Sequence, residues 1–168
     1  MKMHRVLNLS AAALALAACS MAQAQQPASD TDKAFAAKVS QGGRYEVEAS
    51  KLALSHASAM DVKDLATAEV HDHEGVNREL KRISAMEHVP IAPALNAEFT
   101  EKLNHLRSLN GPEFDTAYMQ EMAEIHDKDE KLFAQESMDG TESYKKFAAQ
   151  TDRIVKRHIG ALHGVDGN

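Results

Sequence analysis

Four long stretches of this chain repeat their inward-facing residues at alternating intervals of three and four, and that period leaves few folds open. From about Lys33 to about Ser58, Phe35, Val39, Gly42, Glu46, Ala49, Ala53 and His56 fall on one line of a helix. A second stretch, from Asp61 to near His88, aligns Val62, Leu65/Ala66, Glu69, His73, Val76, Leu80 and Ile83. A third, from about Pro112 to about Met138, aligns Phe114, Tyr118, Met122, Ile125/His126, Asp129, Leu132 and Phe133. The fourth follows Thr141 to about His163 with Tyr144, Phe147, Thr151, Ile154, His158 and Leu162 in register. A helix with one such stripe must bury it against other helices. Four of similar length predict an all-α, antiparallel four-helix bundle.

The punctuation agrees. Asp30, Thr31 and Asp32 all suit the cap of the first helix, and Asp61 that of the second. Val89-Pro90-Ile91-Ala92-Pro93 cannot continue a helix. Asn96 to Leu109 is a shorter helix in the connection between the second and third long ones, ended by Asn110-Gly111-Pro112. Asp139-Gly140-Thr141 is a tight turn with Thr141 as the next cap. Gly42-Gly43 interrupts the first helix, either as a weak point or as a place where a neighbouring helix approaches the backbone.

Ahead of the bundle, residues 1–24 read as an export signal: Lys2 and Arg5 precede an apolar, Ala-rich run from Val6 to Ala18 that is too short to span a membrane. Two processing sites compete. Leu16-Ala17-Ala18-Cys19 resembles a lipobox, in which Cys19 is lipidated, and Ala22-Gln23-Ala24 suits ordinary signal peptidase. Cys19 is the only cysteine, so no disulfide forms within the chain. Residues 25–32 form a polar tether, 33–163 the bundle and 164–168 a frayed tail. The expected location is the periplasm or the outer membrane of a Gram-negative-type bacterium, with the membrane as a partner through the anchor if Cys19 is modified. Removing the leader leaves 17 Lys+Arg against 25 Asp+Glu, interspersed without a basic face, which argues against nucleic acid as a partner.

The chemistry lies on the seams. Glu46, His73, His126 and His158 each occupy an inward position of a different helix, where an unpaired charge costs several kcal/mol. One carboxylate and three imidazoles converging in a bundle core form a candidate site for Zn, Cu or Fe. Counting residues from the intervening turns puts Glu46, His73 and His126 at one level and leaves His158 offset by five residues, roughly 7 Å. Glu69, Asp72, Tyr118 and Glu130 stand near enough in the helical pattern to support the ligands. Met119 and Met122, one turn before His126, would suit soft Cu(I) but also serve as core filler. No nucleophilic triad, phosphate loop or H-E-x-x-H motif is present.

Phe35-Ala36, Gly42-Gly43-x-x-Glu46-Val47, Leu52-Ala53, Asp72-His73-x-x-x-Asn77-x-x-Leu80, Gly111-x-x-Phe114-Asp115-x-x-Tyr118, His126 and His158 together resemble the domain-of-unknown-function 4142 family over about residues 34–163. These are exported bacterial proteins grouped with ferritin-like bundles, and no biochemical activity is established for them. The resemblance implies a ferritin-like fold and places the family's Glu, Asp-His, mid-helix His and terminal His on Glu46, Asp72-His73, His126 and His158. Two departures stand out: Glu69 lies where members carry a Met-like position, and Thr151-Asp152 replaces a Leu-Pro that usually precedes the last His.

Two functions follow as expectations. One is an envelope protein that binds a metal ion inside the bundle for sequestration or sensing. The other is a structural or stress-related interaction protein whose buried His/Glu network only fixes the packing. Catalysis is the lesser expectation, because no distinct acid–base pair accompanies the ligands and an oxidase-like centre would need more carboxylates on the seams.

Overall fold

A computed structural model describes residues 26–164, which form five helices: α1 (Asp30–His56), α2 (Met60–Met86), α3 (Ala97–Arg107), α4 (Gly111–Asp139) and α5 (Glu142–Leu162). Cys19, both cleavage sites and residues 165–168 lie outside the described residues. No described helix is long and apolar enough to cross a membrane.

The long helices form the expected bundle, with α1 beside α2 and α4, and α5 beside α2 and α4. Every adjacent pair is antiparallel. Glu46 and Gly43 face His73 and Asn77, Phe35 meets Phe133, and Ser84 meets Tyr144. It follows that α2 and α4 are diagonal and run the same way. The connection between them must therefore return along the whole bundle, and α3 lies on that return path, packed on α1 and touching α4. One long crossover of this kind is the ferritin-like arrangement. The residue count across that connection assumed a turn between antiparallel neighbours; the levels of His73 and His126 instead match because both are counted from the same end, 13 residues after Met60 and 15 after Gly111.

Local chemistry moves several boundaries. The cap of α1 is Ser29, not Asp30, Thr31 or Asp32, so the helix begins three residues earlier than its period suggested. Asp32 Nα–H donates to Ser29 Oγ (3.1 Å) while Ser29 N–H donates to Asp32 Oδ2 (2.6 Å), a reciprocal capping box. The other oxygen of Asp32 accepts from Thr141 N–H (3.0 Å), which fastens the start of α1 to the α4–α5 turn. Within the expected tether, Ala28 is already part of the core. Asp61 does not cap α2; Ala59 holds that position without a side-chain bond. Asp115 of α4 does the capping across the fold, accepting from Ser58 N–H, Ser58 Oγ–H and Ala59 N–H. On α5, Val155 rather than Ile154 is the fully buried residue.

Gly42 and Gly43 do not break α1. Asn77 of α2 donates its amide to Gly43 O (2.9 Å), and a Cβ on Gly43 would collide with that amide. The double glycine is thus an approach site, one turn from Glu46 on α1 and one turn from His73 on α2.

Two apolar layers fill the bundle. One gathers Phe35, Leu80, Phe133, Tyr144 and Phe147, with Phe35 edge-on to Phe133 at 5.2 Å. The other gathers Tyr45, Leu65, Leu106, Phe114, Tyr118 and Met122. Each large side chain buried there contributes about 1.5–3 kcal/mol, which allows the bundle to tolerate a polar layer between them.

Candidate metal centre

That polar layer holds Glu46 from α1, Glu69 and His73 from α2, His126 from α4 and His158 from α5, all buried. The four seams deliver them at one height. His158 is brought in as well: it lies 16 residues after the start of α5, and His126 lies 13 before the end of α4. The remaining offset of three residues is about 4.5 Å of helical rise, within the reach of an imidazole between crossing helices.

Each histidine turns one nitrogen outward. His126 Nδ1–H donates to Met122 O (2.8 Å), one turn back along α4. His158 Nε2–H donates to Asp72 Oδ2 (2.9 Å). His73 Nδ1 lies 3.1 Å from Glu46 Oε2. The inward nitrogens converge with Glu69: His73 Nε2 lies 3.2 Å from Glu69 Oε2, while His126 Nε2 and His158 Nδ1 lie 3.3 Å and 3.0 Å from Glu69 Oε1. One donor atom from each of Glu69, His73, His126 and His158 lies within 4.8 Å of all the others. Glu46 stands against this group, with Oε1 3.7 Å from His126 Nε2.

Distance and direction disagree here in an informative way. The carboxylate oxygens of Glu46 and Glu69 and both nitrogens of His73 are buried at contact distance, yet none makes a well-directed hydrogen bond. Buried polar atoms left so are rare and costly. His126 Nε2 and His158 Nδ1, by contrast, face each other at 3.2 Å with hydrogen-bond geometry. In the neutral tautomers that the outer bonds select, both inner nitrogens present lone pairs, so a cation must stand between them, either a proton or a metal ion. A four-coordinate ion with bonds of about 2.0–2.1 Å needs donor atoms spaced about 3.3 Å apart. The contacts among Glu69 Oε1, His126 Nε2 and His158 Nδ1, 3.0–3.3 Å, are of that size, and with His73 the four donors lie within 4.8 Å of one another. The residues present therefore fit a transition-metal ion, and two carboxyl groups against three imidazoles match a divalent charge.

The electrostatics follow from the packing. Burial pushes the Glu69 carboxyl up, but contacts with His158 and His73 and the field of His126 outweigh this and hold it below the usual carboxylate range. Burial pulls His73 down, but Glu46 and Glu69 on its two sides overcome it and raise it well above the ordinary imidazole value.

The other expected supporting residues are placed differently. Asp72 supports His158 rather than its chain neighbour His73, and is itself held by Arg157 Nη2 at 2.6 Å. Tyr118 is buried in the adjoining apolar layer, where its hydroxyl bonds Ser50 Oγ (2.8 Å) instead of a ligand. Glu130 lies outside the group, in the field of Lys156. Met122 reaches the site only through its carbonyl, and Met119 packs in the apolar layer. Asp129, also on the seam, is a buried carboxyl raised well above its ordinary value by burial and then by the field of Glu46.

Residues 17–164 match the domain of unknown function DUF4142. The chain belongs to the DUF4142 family. The bundle is also similar to the crystal structure of a DUF305 fragment from Deinococcus radiodurans, with a TM-score of 0.73 and 15% sequence identity over 84% of this chain and 99% of that one. At that identity the likeness concerns the fold. No curated protein matches the sequence. The DUF4142 bundle thus carries a buried Glu/His group that can hold a metal ion.

Proposed function

We propose that this DUF4142 protein is an exported, membrane-anchored or periplasmic bundle that binds one divalent transition-metal ion through Glu69, His73, His126 and His158, for sequestration or sensing. Glu46, Asp72 and the Met122 carbonyl orient the three imidazoles. Bound there, the ion would neutralise the buried carboxylates and supply a rigid crosslink among α2, α4 and α5. The single observation that carries the reading is the pair of inner nitrogens, His126 Nε2 and His158 Nδ1, facing each other at 3.2 Å with their outer nitrogens already engaged. Four protein donors fill a four-coordinate shell and leave no open position for a substrate, which favours binding over catalysis.

Metal analysis of the purified protein tests this. We expect about one equivalent of Zn, Cu or Fe in the wild type, and loss of it in the quadruple variant E69Q/H73A/H126A/H158A. Stoichiometric metal in that variant would eliminate the site. The rival reading, a packing network held by protons, draws on the raised His73 beside two carboxyls. It predicts the same melting temperature with and without a chelator, whereas an ion bound only by the folded state raises it.

A further inference from the structure

The candidate centre is sealed. Glu46, Glu69 and His126 have no exposed surface, and His73 and His158 have 2%. Two carboxyl groups connect it with the outside, on opposite sides of the bundle. Asp129 faces a cavity of about 730 Å³ among α1, α3 and α4, lined by Lys38, Lys128 and Lys131 and by one further carboxylate, Glu98. A cation taking that way passes three ammonium groups against two carboxylates. Asp72 lies between α2 and α5 with 18% of its side chain exposed, and is paired there with Arg157, whose own side chain is 60% exposed. The same Asp72 oxygen that Arg157 holds also accepts from His158, whose inner nitrogen is one of the four donors. His158 lies four residues before the end of α5, where a helix opens most readily.

We propose that a divalent cation enters the core between α2 and α5, with Asp72 as its first protein carboxylate and Arg157 as the exchangeable cation that covers it. This rests on the metal reading above. Arg157 occupies the one carboxylate that is both wetted and bonded to a ligand. Displacing it frees Asp72 for an incoming ion, and the attached imidazole of His158 then leads inward. Arg157 therefore sets the rate of exchange rather than the identity of the ligands.

Stopped-flow uptake of Co(II) by the full chain, read from the absorption bands of the four-coordinate ion, tests the route. At low salt, R157Q should take up Co(II) about three- to tenfold faster than wild type, the gain shrinking as ionic strength rises. Release to a chelator should accelerate in step. K128E/K131E, which turns the opposite cavity attractive, should stay within about twofold of the wild-type rate. All these positions are exposed, so circular dichroism should report an unchanged fold. Wild-type rates in R157Q, or a larger acceleration in K128E/K131E, would overturn the route while leaving the site intact. Absence of Co(II) bands in the wild type at equilibrium would overturn both the site and the route.

Discussion

Gly42 and Gly43 are neighbours in one helix, yet the fold gives an added methyl group opposite consequences at the two positions. In an exposed helix interior, Gly→Ala gains about 0.8–1.0 kcal/mol from propensity. At Gly42 the new Cβ would find Ile125 Cδ1 at 3.5 Å, ordinary contact, so G42A should be neutral or stabilising by up to about 1 kcal/mol. At Gly43 it would collide with the Asn77 amide, which donates to Gly43 O. The obstacle is the end of a flexible side chain, so Asn77 must swing aside, at about 0.5–1.5 kcal/mol for a displaced rotamer and about 1 kcal/mol for the lost hydrogen bond. Set against the propensity gain, G43A should destabilise by about 0.5–2 kcal/mol. For a bundle of this size that is a fall in melting temperature of roughly 2–6 °C. Thermal melts of both variants in chelator, followed by circular dichroism, make the comparison without metal. Adding N77A should recover part of the loss in G43A. Because Glu46 and His73 lie one turn away, G43A should also weaken metal retention where G42A does not. Equal rises in melting temperature for the two variants would refute the contact of Asn77 with Gly43 across α1 and α2.

Two further perturbations bear on how the ends are held. Glu136 sits against Asp32 in the capping region of α1, and burial followed by the Asp32 contact pushes its carboxyl up to about 8 from an ordinary 4.5. A raised folded value means that its contribution to stability is complete below about 4.5 and is lost as pH rises through about 8. Asp32 shifts the opposite way: burial raises it, but contacts with Glu136, Ser29 and Thr141 prevail, so its contribution is present above 3.8 and lost in acid. Urea midpoints of metal-free protein should therefore decline more steeply between pH 5 and pH 8 in wild type than in E136Q, and parallel curves would contradict the assignment. Among the described residues Asp115 is the side chain that accepts from Ser58 and Ala59 in the α1–α2 turn, so D115A should cost about 1–2 kcal/mol, as loss of a helix cap does. D61A should cost far less, since Asp61 bonds only the next residue's N–H, and a larger loss in D61A would restore Asp61 as the cap.

The seams were legible because burial enforces the period. Phe35, Val39, Leu80, Ile83, Phe114, Phe133, Tyr144 and Phe147 are all buried where the three–four spacing placed them. Features that join distant parts of the chain left weaker traces. The short helix in the connection between the second and third long helices was legible, but nothing in the local sequence says that this connection crosses the bundle and leaves α2 and α4 running the same way. Nothing near Ser58 announces that Asp115, 57 residues later, will cap its turn. Ser29 was open to recognition: Ser29-x-x-Asp32 has the spacing of a capping box, with Asp in place of the usual Glu. The level of His158 was misjudged because a count from the turn ignores the slant of packed helices and the length of the side chain.

The division of labour between the two glutamates shows where period ceases to carry information. Both lie on seams, and the sequence favoured Glu46 by its match to the family positions. Yet helical side chains lean toward the N-terminus, over the preceding turn. His73 therefore leans onto Glu69, four residues before it, and His126 onto the Met122 carbonyl, also four before. Glu46 must approach from the neighbouring helix and meets the other edge of the His73 ring. An imidazole has only two nitrogens, so whichever group takes the outer one decides what the inner one can do. Here the outer nitrogens face a carbonyl, Asp72 and Glu46, and all the inner ones face Glu69 and each other. A network serving packing alone would be expected to pair donors with acceptors throughout. Here the lone pairs of His126 Nε2 and His158 Nδ1 meet beside the Glu69 carboxylate, and that trio of acceptors is complete only with a cation among them, a proton or a metal ion.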